Sequence, residues 1–212
     1  MRFILALFLM TSVFFATNTK AAYIDFNDYV ISSNYGGQYT NGGYVISDDG
    51  LSLTLSGNLW VAVLARLEAD NTSTLFFDFS ATGSYGEIYA VGFDDNTINN
   101  NPGSFYQLGG SQSSGMNIYD SYSIADGTVE YSILLSELTG TFYNWFVVAL
   151  DNDANTTGSS ITISNVEICS NPSSSECLSA GNLSEPISEP STTLLLIIGM
   201  LFISVYFRKR YN

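Results

Sequence analysis

The chain has 212 residues, 46% of them hydrophobic, with 20 acidic against 6 basic side chains, no histidine and a formal net charge of −14. The missing imidazole excludes Ser-His-Asp and Cys-His nucleophilic catalysis, and the acidic balance repels nucleic acid and anionic lipid. Between two apolar termini lie roughly 150 residues, enough for one domain with a single core.

Arg2 opens the chain and leads into an apolar stretch from Phe3 to Ala16, followed by Thr17-Asn18-Thr19-Lys20 and the small pair Ala21-Ala22. A basic start, an apolar centre and small residues at the end form a secretory signal peptide over residues 1–21, cut after Ala21 or Ala22. Without it and the C-terminal basic cluster, Arg66 stands alone against all twenty acidic residues, a net charge of about −19 for residues 22–191.

From residue 22 to 177 the texture is all-β. Short runs of Val, Ile, Tyr, Phe and Thr are punctuated by Gly, Asn, Asp and Ser, with proline nearly absent. Strands are expected over residues 23–26, 43–47, 51–56, 60–65, 74–80, 87–93, 104–108, 128–135, 144–150 and 160–168. Leu75, Phe77 and Phe79 share one face of their strand, with Asp78 on the other, and Tyr131, Ile133 and Leu135 form a second core set. The run from Phe146 to Leu150 is apolar on both faces and belongs in the middle of a sheet. Asp48-Asp49-Gly50 reads as a hairpin turn. This pattern predicts a two-sheet jelly-roll sandwich.

The loops carry the candidate chemistry. Asp94-Asp95 follows one strand and Asp151-Asn152-Asp153 another, and oxygen ligands converging from two loops would suit a structural calcium, although solvated turn carboxylates account for the same residues. Sugars stack their CH faces on aromatic rings whose polar edges reach hydroxyls. Of the tyrosines in or near loops, Tyr35, Tyr39, Tyr85, Tyr106, Tyr119, Tyr122 and Tyr143, we expect glycan contact from Tyr85, Tyr106 and Tyr119. Trp60 and Trp145 sit in apolar strands and read as core. Glu87, Glu130 and Glu137 are raw material for a glycosidase, but nothing pairs any two of them, and no nucleophile or nucleotide motif is present.

Cys169 and Cys177 lie eight positions apart in a chain bound for an oxidising compartment, so a disulfide closing a small loop is expected. Residues 178–190, rich in Ser, Glu, Pro, Gly and Asn, read as a flexible stalk. The last segment, residues 191–212, holds an uncharged apolar run from Thr192 to Phe207 and then Arg208-Lys209-Arg210. At 1.5 Å per residue the run reaches about 24 Å, a short membrane span, with the basic cluster held in the cytoplasm.

Ser188-Glu189-Pro190, the short apolar helix and the terminal Arg208-Lys209-Arg210 together resemble a PEP-CTERM sorting signal, with Ser188 where the first proline of the box usually stands. The resemblance implies export in a Gram-negative bacterium and processing near that box by an exosortase, a membrane cysteine protease-transpeptidase. The strand succession from Leu53 to Trp60, Leu75 to Phe79, Gly86 to Asp94, Phe105 to Leu108, Asn144 to Asn155 and Ile163 to Ile168 is similar to jelly-roll modules appended to secreted polysaccharide-active enzymes. That likeness implies a carbohydrate-binding-like domain.

The expected protein is therefore exported and non-catalytic. It is membrane-anchored before processing and held afterwards in the outer envelope or an extracellular polysaccharide matrix. Its partners are the sorting protease, the membrane and a polysaccharide. The domain itself serves either as a lectin-like glycan binder or as a structural matrix element without a specific ligand.

Overall fold

The computed structural model describes residues 23–113, 115–154 and 158–169. The chain divides into two units, Met1–Leu178 and Ser179–Asn212, and every described residue belongs to the first. The signal peptide (1–21), Cys177, the stalk (178–190) with Ser188-Glu189-Pro190, and the apolar helix with its Arg208-Lys209-Arg210 tail (191–212) lie outside the described residues. Among the described residues no helix is long and apolar enough to cross a membrane.

The described part is all-β. Ten strands follow in order: β1 (Ile31–Ser32), β2 (Tyr39–Ile46), β3 (Ser52–Val63), β4 (Thr74–Gly83), β5 (Ile88–Asp94), β6 (Phe105–Gly109), β7 (Asn117–Tyr122), β8 (Val129–Leu134), β9 (Trp145–Asp151) and β10 (Ser159–Cys169). They form one continuous sheet in the order β7-β6-β5-β9-β3-β10-β4-β8, with β1 and β2 attached to β3.

The expected sandwich of two separate sheets is thus realised as a single sheet that curls over itself, and β3 is the corner. The first half of β3 pairs with β10 over Ser52 to Ser56, and its second half pairs with β9 over Leu59 to Val63. Because β2 occupies the opposite edge across Leu53 to Leu59, β9 and β10 share one edge of β3 and diverge from it into two layers. The two expected strands 51–56 and 60–65 are in fact this one long strand. The chain passes between its halves at Gly57, whose φ of +80° is left-handed and whose Cβ would lie 2.5 Å from the Asn41 carbonyl oxygen.

The main core fills the space between the layers. Leu75, Phe77 and Phe79 of β4, Tyr131 and Ile133 of β8 with Leu135 just after it, and Phe146, Val148 and Leu150 of β9 are all buried there, as the alternation predicts. Each such side chain contributes about 1.5–3 kcal/mol by leaving water. β9 is buried on both faces because the main core covers Phe146, Val148 and Leu150 and a second apolar cluster covers Val147 and Ala149 on its outer side. In that cluster the Tyr35 and Trp60 rings are parallel to within 4° at 6.2 Å, with Phe105 tilted against both.

Residues 23–26 are not a strand. Phe26–Asp28 forms a 3-10 turn capped by Asp25, whose carboxylate accepts from the Asn27 amide at 2.9 Å, and this drives Phe26 into the core. The Asp48-Asp49-Gly50 turn joins β2 to β3 as expected, closed by the Gly50 amide on the Ser47 carbonyl at 2.9 Å.

Candidate functional site

A cleft opens where two loops are zipped side by side. After β3 the chain runs along the segment that precedes β9. The Leu67 amide donates to the Tyr143 carbonyl at 2.7 Å, the Tyr143 amide returns to Leu67 at 2.9 Å, and the Arg66 amide reaches Asn144 at 3.1 Å. The buried Tyr143 ring braces its own loop, its hydroxyl accepting from the Gly140 amide at 2.8 Å. On the other side the Leu135 amide donates to the Ser73 carbonyl at 2.9 Å, so both walls are tied to the sheet.

The cleft between them has a volume of about 410 Å³ and is lined by Glu68, Ala69, Asp70, Ser73, Thr141 and Phe142. The Phe142 ring is 47% exposed, an uncommon state for phenylalanine, while Ala69 and Ser73 are buried in the floor. Asp70 is held rigidly. Its Oδ1 accepts from the Thr72 amide at 2.8 Å, the Thr72 hydroxyl at 2.7 Å and the Ser73 hydroxyl at 3.1 Å. These bonds, the Thr72 hydroxyl first, hold its carboxyl below the usual carboxylate range, so it stays ionised. The arrangement combines a ring face, hydroxyls and carboxylate acceptors on a stiff frame. None of these lining residues stands out in the sequence, because the bridge joins positions 67 and 143.

The expected glycan contacts divide. Tyr106 is buried, its hydroxyl accepts from the Glu137 amide at 3.4 Å, and burial pushes it up to about 12, so it is a core residue and not a surface contact. Tyr85 is 41% exposed, but its hydroxyl donates to the Tyr122 carbonyl and accepts from the Gly110 amide. Tyr119 is 44% exposed, with its hydroxyl on the Ser132 carbonyl at 2.7 Å. Both keep a ring surface in water while their polar edges serve as bolts of the fold. Of the other loop tyrosines, Tyr35, Tyr122 and Tyr143 are buried and Tyr39 is exposed; Trp60 is buried, as expected.

The four carboxylates expected to share a calcium do not converge. Asp94 pairs with Trp145 at one end of the β5/β9 ladder and Asp151 pairs with Ile88 at the other, about 20 Å apart at the ordinary rise of a strand. The buried Asp94 accepts from the Tyr35 hydroxyl at 2.5 Å and from the Asp95 and Asn96 amides, while Asp95 is exposed. The antiparallel register instead brings Glu87 beside Asp151 and Asp153, with carboxylate oxygens within 4.8 Å of one another. Among the described residues these three form the acidic group close enough to share one metal ion.

Glu87 already spends its oxygens inside the protein. Oε2 accepts from the Asp153 amide at 2.8 Å and the Ala154 amide at 3.2 Å, and Oε1 accepts from the Gln112 side chain. Those donors, the Ala154 amide first, draw its carboxyl below the usual range. Asp151 is displaced the other way, to about 6, by burial and then by the charges of Asp153 and Glu87. Glu130 is exposed on β8 opposite Asp78 of β4, and Glu137 is exposed beyond β8, so the three glutamates with glycosidase potential do not meet.

Together the fold and the cleft define an all-β, curled-sheet domain with a preformed surface cleft. No family model matches the chain, and no curated protein matches it. Among solved structures it is similar to the glycoside hydrolase domain of Endo-D from Streptococcus pneumoniae R6, with a TM-score of 0.40, 15% identity and 68% of this chain covered. The chain spans 22% of that structure's length. It is also similar to the family 30 carbohydrate-binding module of the cellulosomal cellulase Cel9D-Cel44B of Clostridium thermocellum, with a TM-score of 0.36, 16% identity and coverage of 71% of this chain and 94% of the other. A point mutant of the family 29 module CBM29-2 complexed with mannohexaose gives a TM-score of 0.37, 15% identity and coverage of 74% and 99%. The likeness is one of strand arrangement, at scores that say nothing of ligand or activity.

Proposed function

We propose that this is an exported, non-catalytic glycan-binding protein of the cell envelope, whose β-domain holds saccharide in the cleft between Asp70 and Phe142. The observation that carries the reading is an exposed phenylalanine ring sharing a rigid cleft of about 410 Å³ with two carboxylates and two hydroxyl side chains. A pyranose ring needs an apolar plate for its CH face and fixed acceptors for its hydroxyls, and the cleft supplies both.

Delivery is the part played by the termini. The signal peptide exports the domain. Exosortase-type processing near Ser188-Glu189-Pro190 then releases it from its short membrane span into the outer envelope or polysaccharide matrix. The pairing of Cys169, buried at the end of β10, with Cys177 would staple the domain to the stalk.

The full-length protein in detergent, applied to a glycan array, tests the binding reading, with Phe142→Ala as the paired variant. Retention of one glycan class that is lost in the variant supports it. Equal retention by both proteins, or none by either, overturns it. Intact mass of the protein from cells with and without the sorting protease tests delivery, and an unchanged C-terminus in both overturns that part.

A further inference from the structure

The charge of the cleft narrows the ligand class, and this step rests on the glycan-binding reading above. Glu68 and Asp70 line the cleft with the Phe142 ring, and no lysine or arginine joins them. Arg66 is the one cation among the described residues and is not part of the lining. A cleft so charged repels uronic acids and phosphorylated or sulfated sugars, because each anionic group would meet ionised carboxylates with no cation to offset them.

Two further details give the preference a direction. All three hydrogen bonds to the Asp70 carboxylate fall on Oδ1, and among the described residues Oδ2 has no hydrogen-bond partner. The carboxylate is therefore fixed by one oxygen, while the other remains a charged acceptor on a residue that lines the cleft. The 47% exposed Phe142 ring lines the same cleft, and the face of an aromatic ring attracts a cation. Two carboxylates and an aromatic face form a receptor for an ammonium group, and the ring doubles as the plate on which a pyranose stacks.

We propose that the cleft selects glycans bearing free amines, namely hexosamine polymers with unacetylated amino groups, over their N-acetylated, neutral and acidic counterparts. The ammonium sits against Asp70 Oδ2 and Glu68, and the sugar ring lies on Phe142. The polymer is also the electrostatic complement of a domain with about seventeen excess negative charges, which raises the encounter rate.

The test is calorimetry on the full-length protein in detergent with a glucosamine oligomer, its N-acetylated equivalent, a neutral glucose oligomer and oligolysine. It is run at about 0.15 M salt, where long-range attraction is screened beyond roughly 8 Å. We expect the glucosamine oligomer to bind at least about tenfold tighter than the N-acetylated one, and Glu68→Gln and Phe142→Ala each to lose about tenfold. Glu68 is exposed and makes no described hydrogen bond, so its variant keeps the fold testable even if Asp70→Asn loosens the loop. Equal binding of all neutral and amine-bearing oligomers that depends on Phe142 alone overturns the amine preference and leaves the glycan reading standing. Oligolysine binding as tightly as the glucosamine oligomer, with no effect of Phe142→Ala, reduces the preference to bulk charge and overturns it. Binding of none of the oligomers overturns both readings.

Discussion

The Tyr131 hydroxyl donates to Asp120 Oδ2 at 2.7 Å, and this bond joins β8 to β7, the two ends of the sheet path. No pairing between these strands appears in the sheet's ladders, so tyrosine side chains fasten the curl. Tyr119 of β7 reaches the Ser132 carbonyl of β8, and the Tyr122 hydroxyl accepts from the Ala81 amide of β4 and donates to the Gly127 carbonyl. Burial and then Asp120 raise the Tyr131 hydroxyl well above its ordinary range, so the folded protein keeps the proton that makes the bond. A raised folded value means stability present below the unfolded value near 10 and lost as pH rises past it. Because Asp120 is exposed and water can replace the donor, Tyr131→Phe is expected to cost about 1 kcal/mol in urea unfolding at pH 7. The mutant is also expected to weaken the loss of stability above about pH 10.

Glu87 acts as an anchor, tying the loop after β9 and the loop after β6 to the start of β5 through Asp153, Ala154 and Gln112. It is only 7% exposed, but its donors belong to the exposed residues Asp153, Ala154 and Gln112, so water can replace part of what the carboxylate accepts. Glu87→Ala is expected to destabilise by about 1–2 kcal/mol, with Glu87→Gln in between because its amide oxygen can still accept. Hydrogen exchange distinguishes an anchor from mere bulk: the Asp153 and Ala154 amides should lose protection in Glu87→Ala before the β9 amides do. Uniform loss across β9 would count against the anchoring role.

Asp151 and Glu87 pull the pH profile in opposite directions. Asp151 rises from 3.8 to about 6, so the folded state binds its proton more tightly and this contribution to stability is lost as pH rises through 6. Glu87 is lowered, so its contribution is present above the unfolded value of 4.5 and is lost as pH falls below it. Stability from this cluster should peak near the unfolded carboxylate values, at about pH 4. Asp151→Asn is expected to raise stability at pH 7 by about 1 kcal/mol, the shift being discounted for a half-exposed group, and to flatten the profile between about pH 4 and 6. With the oxygens of Glu87 already engaged, a chelator should move the melting temperature by less than about 1 °C. A larger drop reversed by calcium would assign the cluster to a cation.

Period-two alternation made the core faces of β4 and β8 legible, and the doubly apolar run from Phe146 to Leu150 marked the central strand. β7 was not legible because Asn117, Ile118, Tyr119, Asp120 and Ser121 leave it mostly exposed, with no alternation to read. It exists because its parallel pairing with β6 and its tyrosine bonds to the far layer supply what a buried face would. β3 read as two strands because Gly57 and Asn58 look like a turn, and only the partners on either side show that the chain runs on. The acidic cluster follows from the register of two recognised strands, Ile88 against Asp151, which composition cannot give. The cleft was out of reach for the same reason, since it depends on a bridge between positions 67 and 143. The tyrosines illustrate the converse: the nearness of Tyr106 and Tyr143 to polar loops concealed buried rings whose hydroxyls hold backbone amides.

Gly83 closes β4 where it meets the start of β10, with φ at +81° and Ser159 as its register partner. A Cβ there would lie 1.4 Å from the Gly158 carbonyl oxygen, the same atom that accepts the Ser84 amide at 3.1 Å. Gly83→Ala must therefore displace backbone that is already bonded, in addition to adopting a left-handed conformation, and is expected to cost more than about 3 kcal/mol. Gly43→Ala in β2 serves as the control, because nothing lies within 4 Å of its Cβ position and its φ is ordinary. That substitution should be neutral or stabilise by about 0.5 kcal/mol through the unfolded chain. Urea unfolding of both variants decides the matter: equal, small effects would mean that the β4/β10 junction yields easily, and a large loss confined to Gly83→Ala would show that the close approach of the two strands is needed for the curl.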